Sequence, residues 1–325
     1  MKHIFLNKQT VRFFGIGILA ACMISLGIFA QGCSSDFDSD IKMENLDIPE
    51  EYNEVGVLHN EGLEYIFEEI KAYGIEYTKN PRLKSRPFLE NKDEFITQAT
   101  LDFCNQHEKL QKHIDICKSV LENNIPLKSL NNTLTISPAS QQLLNEITSV
   151  LGHEFTKKEL PQLKKQLDVI NQKAASTLSD TEAAVIYCAT STGYHSYQYW
   201  MNNHKKWYFA LNYPEILEQY NNEELNQLQL KNGKIKTKGW WDDLWNKTEN
   251  WFNSTVDQVG SAVKDWWNNG GKDVVAADAG GATTGAMGGW AAAVVTAGVS
   301  IPAAAVSVGT TISAGKVVEL YIINL

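Results

Sequence analysis

The sequence predicts an all-α protein: a helical bundle followed by a Trp-rich amphipathic helix and a Gly/Ala-rich helical hairpin. Three observations carry this expectation. Apolar residues recur at spacings of three and four from residue 56 to 230. No alternating stretch longer than about four residues appears, and no Asn-Gly turn stands between two strand-like runs. From Gly239 the composition changes, with seven of the nine Trp between 240 and 290 and ten of the 22 Gly between 270 and 315. That shift separates a helical domain at 55–235 from an amphipathic helix at 239–269 and a hairpin at 270–325.

The first element is an address. Residues 1–32 hold Lys2, Lys8 and Arg12, no acid, and an apolar run from Phe13 to Ala30. A basic start, an apolar stretch and small residues before a cysteine mark a secretory signal. The same run, about 18 residues long, is also near the minimum for an uncleaved span. Leu19-Ala20-Ala21-Cys22 and Ala30-Gln31-Gly32-Cys33 both resemble the lipobox of bacterial lipoproteins, the first more closely by letter. Cleavage before Cys22 leaves the greasy stretch Met23 to Ala30 at the mature start. Cleavage before Cys33 leaves Ser34-Ser35-Asp36-Phe37-Asp38-Ser39-Asp40, the start of a solvated acidic tether at 33–54, and ends the signal where the apolar run ends. Cys33 is therefore the expected lipidation site. The Ser/Asp run resembles the surface-export signal of Bacteroidota-type lipoproteins, although an ordinary acidic linker has the same letters. The resemblance implies an outer-membrane location, cell-surface exposure, and membrane lipid as partner of the N-terminal acyl chains.

The bundle reads helix by helix. Leu63, Ile66, Phe67, Ile70 and Tyr73 form one apolar stripe, and Gly74 stands where a C-terminal cap belongs. Asn91-Lys92-Asp93-Glu94 resembles a capping box and opens a long pattern through Phe95, Ile96, Leu101, Leu110, Ile114, Ile116 and Val120, up to Asn124 and Pro126. Ser137-Pro138 supplies an N-cap followed by Pro at the first helical position, ahead of Leu143, Leu144, Ile147 and Leu151. Thr156 with Glu159 and Ser179 with Glu182 form two further capping boxes, the second leading into the Tyr- and Trp-rich run from Ala183 to Tyr208. Five to seven helices are expected.

Charge and cysteine usage narrow the function. Residues 33–235 carry 30 acids and 20 bases, and the whole chain has a net charge of −9. This excludes a general nucleic-acid binder, which needs a basic footprint. Beyond the signal, Cys33 aside, only Cys104, Cys117 and Cys188 remain, an odd number for an exported chain. If one continuous helix covers the first two, they stand about 20 Å apart along its axis. They are then out of bridging range, and all three read as buried small hydrophobes.

No motif supports an enzyme, a metal or a cofactor. His107 is followed by His113, not by a His one helical turn away, and His153 has no second His nearby. Cys188 and His195 share a helix face but stand about 10 Å apart along it. No Gly-rich phosphate loop follows a strand, and no Gly-x-Ser-x-Gly elbow appears.

The C-terminal third is more specific. Trp241, Leu244, Trp245, Thr248, Phe252, Val256, Val259, Val263 and Trp267 follow helical spacing opposite a polar face. Such a helix fits a membrane interface, where Trp keeps its N–H wet, and equally fits docking on the bundle. Ala279 to Gly315 is 37 residues without a charge. Within it Gly281, Gly285 and Gly289 repeat every fourth residue, and a second arm offers Ala305, Gly309 and Ser313 beyond Pro302. One smooth face of this kind lets another helix approach until backbones touch. Three readings follow: a membrane hairpin, a soluble two-helix cap, or a segment ordered by a partner or bilayer.

The Trp-rich helix followed by KDVVAADAGGATTGAMGGWAAA resembles bacteriocin-type, membrane-permeabilising segments, and Gly270-Gly271 is similar to a double-glycine leader site. The resemblance implies a lipid-anchored envelope protein with a membrane-active tail that self-associates or inserts. The other reading is a non-enzymatic envelope scaffold or partner-binding lipoprotein whose glycine zipper packs in its own helical domain.

Overall fold

Short polar side chains start several helices in this chain. The computed structural model describes residues 44–122, 136–227, 230–231, 234–235, 266–293 and 301–322. The described residues are all-α, apart from one two-residue antiparallel pair, β1 (Leu230–Lys231) with β2 (Lys234–Ile235).

Helix α1 (Glu50–Lys79) starts inside the stretch read as tether, just after Pro49, with Glu50 and Glu51 in its first turn where the helix dipole favours acids. It does not stop at Gly74. That glycine is buried, and a Cβ there would lie 2.9 Å from Leu217 Cδ1 and 3.2 Å from Pro214 Cβ, so its role is close packing instead of capping.

The long helix expected after Asn91 is three pieces: α2 (Lys92–Gln106), a single turn α3 (Glu108–Gln111) and α4 (Ile114–Glu122). The break is at His107, whose backbone is extended (φ −83°, ψ 122°) and whose Nδ1 accepts the Lys109 N–H at 3.3 Å, starting a new turn. Asn91 itself makes no side-chain cap.

The other start signals hold. Ser137 Oγ accepts the Ser140 N–H at 3.2 Å ahead of α5 (Pro138–Leu151). Glu159 reaches back to the Thr156 N–H at 2.9 Å, closing a 3-10 turn that feeds α6 (Leu160–Thr177). Ser179 caps α7 (Asp180–Asn212). Glu182 also accepts from the Ser137 N–H and the Ser140 hydroxyl, both at 2.9 Å, joining the starts of α5 and α7. These donors hold the Glu182 carboxyl down at about 2 despite some burial.

A 3-10 turn at Pro214–Ile216 and the short α8 (Asn222–Gln227) follow. Of the expected helix at 239–269, residues 239–265 lie outside the described residues, Trp241, Trp245 and Phe252 among them. Trp266 onward leads into α9 (Lys272–Ala293), and α10 (Ile301–Ile322) is the second arm, which starts just before Pro302 and not beyond it, because proline is tolerated in a helix's first turn, where its missing N–H has no intrahelical partner to lose.

The hairpin is not a separate body. Residues 45–325 form one compact unit. Helix α9 packs on α10, α7, α5 and α4, while α10 also packs on α1, α2, α4 and α7. Val317 and Val318 join Trp200, Trp207 and Phe67 in the larger apolar core, and Ala282, Ala303 and Ala305 join Leu101 and Cys104 in the second. Among the described residues, the large hydrophobics left exposed are Val57 and Val169.

Candidate functional site

The glycine row places two backbones in contact. At Gly285 an added Cβ would lie 2.2 Å from Ala304 O and 2.8 Å from Ala305 Cα, inside van der Waals distance of main-chain atoms that cannot swing away. At Gly281 it would lie 3.0 Å from Gly309 Cα and 3.2 Å from Ile312 Cβ. The sequence-derived partners Ala305 and Gly309 thus face Gly285 and Gly281 across an antiparallel crossing. Gly289 is buried further along the same helix. Its neighbour Gly288, not singled out by the spacing, turns to α4, where a Cβ would meet Val120 Cγ1 at 3.2 Å.

On that same face lies a carboxyl. Asp278 precedes Gly281 by three positions and Gly285 by seven, so helical spacing points it into the hairpin's interior side. It is fully buried. Trp200 Nε1 donates to its Oδ2 at 2.9 Å, and the Ser196 hydroxyl donates to the same oxygen. Ser313 of α10 offers a third, poorly aligned hydroxyl. Burial dominates these donors and pushes the Asp278 carboxyl up to about 7.

The seam continues through two imidazoles. His59 of α1 and His195 of α7 are buried, and burial pushes both down to about 4, with each other's charge adding to the effect at His195. Asn60 Nδ2 donates to His195 O at 3.0 Å. Here α1 also relies on missing side chains: a Cβ at Gly56 would lie 2.5 Å from His195 Cδ2 and from Ser191 O, and one at Gly62 would meet Thr310 at 2.9 Å. The Gly56 N–H donates to Ser191 Oγ at 3.1 Å, and that hydroxyl donates to Asn53 O at 3.1 Å. Close helix crossings are therefore not confined to the hairpin.

A second buried polar group lies on the other side of α7. Lys206 Nζ donates to Glu64 Oε1 at 2.6 Å and sits 4.5 Å over the Phe67 ring. Tyr199 donates to Glu64 at 3.1 Å and accepts from Trp207 Nε1 at 3.0 Å. The lysine is covered despite its charge, because the Glu64 carboxylate and the Phe67 ring compensate its lost water.

The described end of the Trp-rich segment docks on α7. Trp267 packs on Tyr197 with ring centroids 4.8 Å apart, and Trp266 stacks on His204 at 5.0 Å. Gly270 has φ +125°, a conformation that favours glycine, and a Cβ at Gly271 would lie 2.3 Å from Trp266 Cε3. The double glycine thus turns the chain beneath a Trp ring. Cys188 is buried, and burial pushes its thiol up, away from the reactive thiolate form. Among the described residues, no group of three or more His, Cys, Asp or Glu could hold a metal ion. Cys33 lies outside the described residues.

Sequence spacing identified the glycine face, and the position of Asp278 relative to it was readable in the same way. Spacing alone did not identify its donors, because Ser196 and Trp200 come from a helix about eighty residues earlier. Comparison of the chain with protein-family models, curated proteins and solved structures finds no match in any of the three.

Proposed function

We propose that the chain is a lipid-anchored, non-enzymatic envelope protein that carries its Gly/Ala hairpin packed as the core of a helical binding domain. The observation that carries this reading is the crossing at Gly285, where the arm's small-residue face is already filled by the backbone of Ala304 and Ala305 in the same chain. The outer faces of both arms are covered by α1, α2, α4, α5 and α7. A hairpin held this way is a structural pillar, and partner recognition falls to the acidic outer surface of the bundle. The acyl chain on Cys33 supplies the membrane attachment.

A second reading, the membrane-active tail, is favoured by one observation. Helix α10 has 22 mostly apolar residues, near the roughly 20 that cross a bilayer. In that reading the hairpin leaves its sheath. Dye release from liposomes by the intact protein, at neutral and acidic pH, separates the two. Retained dye with a folded protein supports the packed hairpin, and release supports the membrane-active one. The anchor is tested by metabolic labelling with a fatty-acid analogue, which is expected to vanish in Cys33→Ala and persist in Cys22→Ala.

A further inference from the structure

Between Glu76 and Glu90 the chain holds Lys79, Arg82, Lys84 and Arg86 and no acid, and the two arginines are its only ones besides Arg12. This is the connection from α1 to α2, and its main chain is held at several points. Asn80 O accepts the Leu83 and Lys84 N–H at 3.0 and 3.1 Å, and Asn80 Oδ1 accepts the Arg82 N–H at 3.0 Å. The Tyr77 hydroxyl donates to Arg86 O at 3.0 Å. Phe88 packs on Tyr77 and Tyr73 with ring centroids 5.2 and 5.5 Å apart. Lys79 is paired with Glu218, and Glu215 lies close enough to Lys84 for their charges to interact. Arg82, Lys84 and Arg86 are exposed, and among the described residues none of the three takes part in an ion pair. Beside them the rings of Tyr73, Tyr77 and Phe88 are only half-buried.

We propose that this loop is a docking surface for the phosphate headgroups of an anionic bilayer. Arg82 and Arg86 present planar donor forks that match phosphate oxygens, and Lys84 adds a third charge. The half-buried rings beside them suit the headgroup level, where an aromatic side chain keeps one part greasy and another wet. Charge complementarity selects this face: the chain as a whole is acidic, but at physiological salt charges are screened over about 8 Å, so the groups that touch the lipid decide. The inference rests on the reading of the chain as membrane-attached through its N-terminus, and the reach is sufficient. The 30 residues of α1 place the loop about 45 Å from the start of that helix. Residues 33–49 span at most about 60 Å when extended, and an acidic tether repelled by anionic lipid extends. Docking of the loop is then a second attachment beside the acyl anchor.

The test is lysine acetylation of the full chain held on vesicles by its N-terminal segment, read by peptide mass spectrometry. One set of vesicles is phosphatidylcholine alone, the other equal parts phosphatidylcholine and phosphatidylglycerol. Lys84 is compared with Lys165, which is exposed on α6. The expected result is slower acetylation of Lys84 on the anionic vesicles, reversed by high salt, with Lys165 unchanged. Removing one basic residue weakens docking about five-fold, so Arg82→Gln with Arg86→Gln weakens it roughly twenty-five-fold and returns Lys84 to its rate on neutral vesicles. Both arginines are exposed, and circular dichroism checks that the double variant is folded. Equal acetylation of Lys84 on the two kinds of vesicle would overturn the proposal, as would undiminished protection in the folded double variant. Equal protection by inorganic phosphate on neutral vesicles would overturn it too, by assigning the loop to a free anion. The fatty-acid label at Cys33 reads the anchor itself, so failure of attachment and failure of docking are told apart.

Discussion

Asp278 holds a carboxyl where no water reaches it, and the physical cost of that placement is pH-dependent. Its usual value is 3.8 and its folded value about 7. Between these the unfolded chain has released a proton that the folded chain still holds. Stability therefore falls as pH rises through this window and is level above and below it. Asn at this position keeps an acceptor oxygen for Trp200 and Ser196 but cannot ionise. Asp278→Asn is expected to gain on the native protein by roughly 4 kcal/mol at most at pH 8, and by nothing near pH 4. Urea unfolding at pH 4, 6 and 8 checks this, and parallel pH profiles for the two proteins would count against it. His59 and His195 act in the opposite sense. Burial holds both near 4 from a usual 6.5, so their contribution is lost as pH falls through that window. Both proteins retain them, and the difference between the profiles isolates Asp278. Residue-level roles of this kind were only half legible in the sequence. Lys205 and Lys206 are adjacent and alike as letters, yet the second is the one that rotates inward to Glu64, because only the assembled α1–α7 contact distinguishes them.

At the scale of an element, α9 contains its own control. Gly280 and Gly281 are neighbours on one helix, but an added Cβ meets nothing within 4 Å at Gly280, whereas at Gly285, one turn beyond Gly281, it meets the Ala304 carbonyl at 2.2 Å. Gly280→Ala is expected to stabilise the protein by about 1 kcal/mol, since Ala restricts the unfolded chain and favours helix. Gly285→Ala brings the same propensity gain and should still destabilise, because two backbones must separate, a form of overpacking that costs about 1–3 kcal/mol. Thermal unfolding of both variants reads the signs, and two changes in the same direction would remove the zipper argument. Spacing made this helix legible because every fourth position repeats a small residue. The 91–124 pattern was less legible for the opposite reason. Its apolar residues keep helical phase across His107, so a break made by one imidazole accepting a backbone N–H leaves little trace in periodicity. Gly74 misled in a similar way, since a glycine at a helix end and a glycine under a packed Leu and Pro look identical until the neighbouring chain is placed.

For the molecule as a whole, the composition shift at Gly239 marks a change of material rather than a boundary between independently stable parts. The charge-free stretch has no charged face of its own to present to water, and α7 has few solvent-facing positions between Ala183 and Leu211. Each supplies what the other lacks. Helices α9 and α10 bury Asp278, Trp200 and Ser196 between them and α7, while Thr310 fits beneath Gly62 of α1 and Thr311 donates to Thr100 of α2 at 2.9 Å. Removing the hairpin would expose Ala303, Val306, Val317 and Val318's partners in both cores at once and leave Trp200 without its acceptor. Burial of apolar surface contributes about 25 cal/mol per Å², and a folded domain has only about 5–15 kcal/mol in hand. A chain ending at residue 269 is therefore expected to lose its fixed tertiary structure, even though every helix of the acidic bundle remains encoded. Near-UV circular dichroism and protease resistance measure this directly, and the full chain should unfold in one transition with urea. A truncated protein that retains native Trp dichroism and a cooperative transition would show that the bundle stands alone. The hairpin would then be free to leave without unfolding its sheath, which is the condition the membrane-active reading requires.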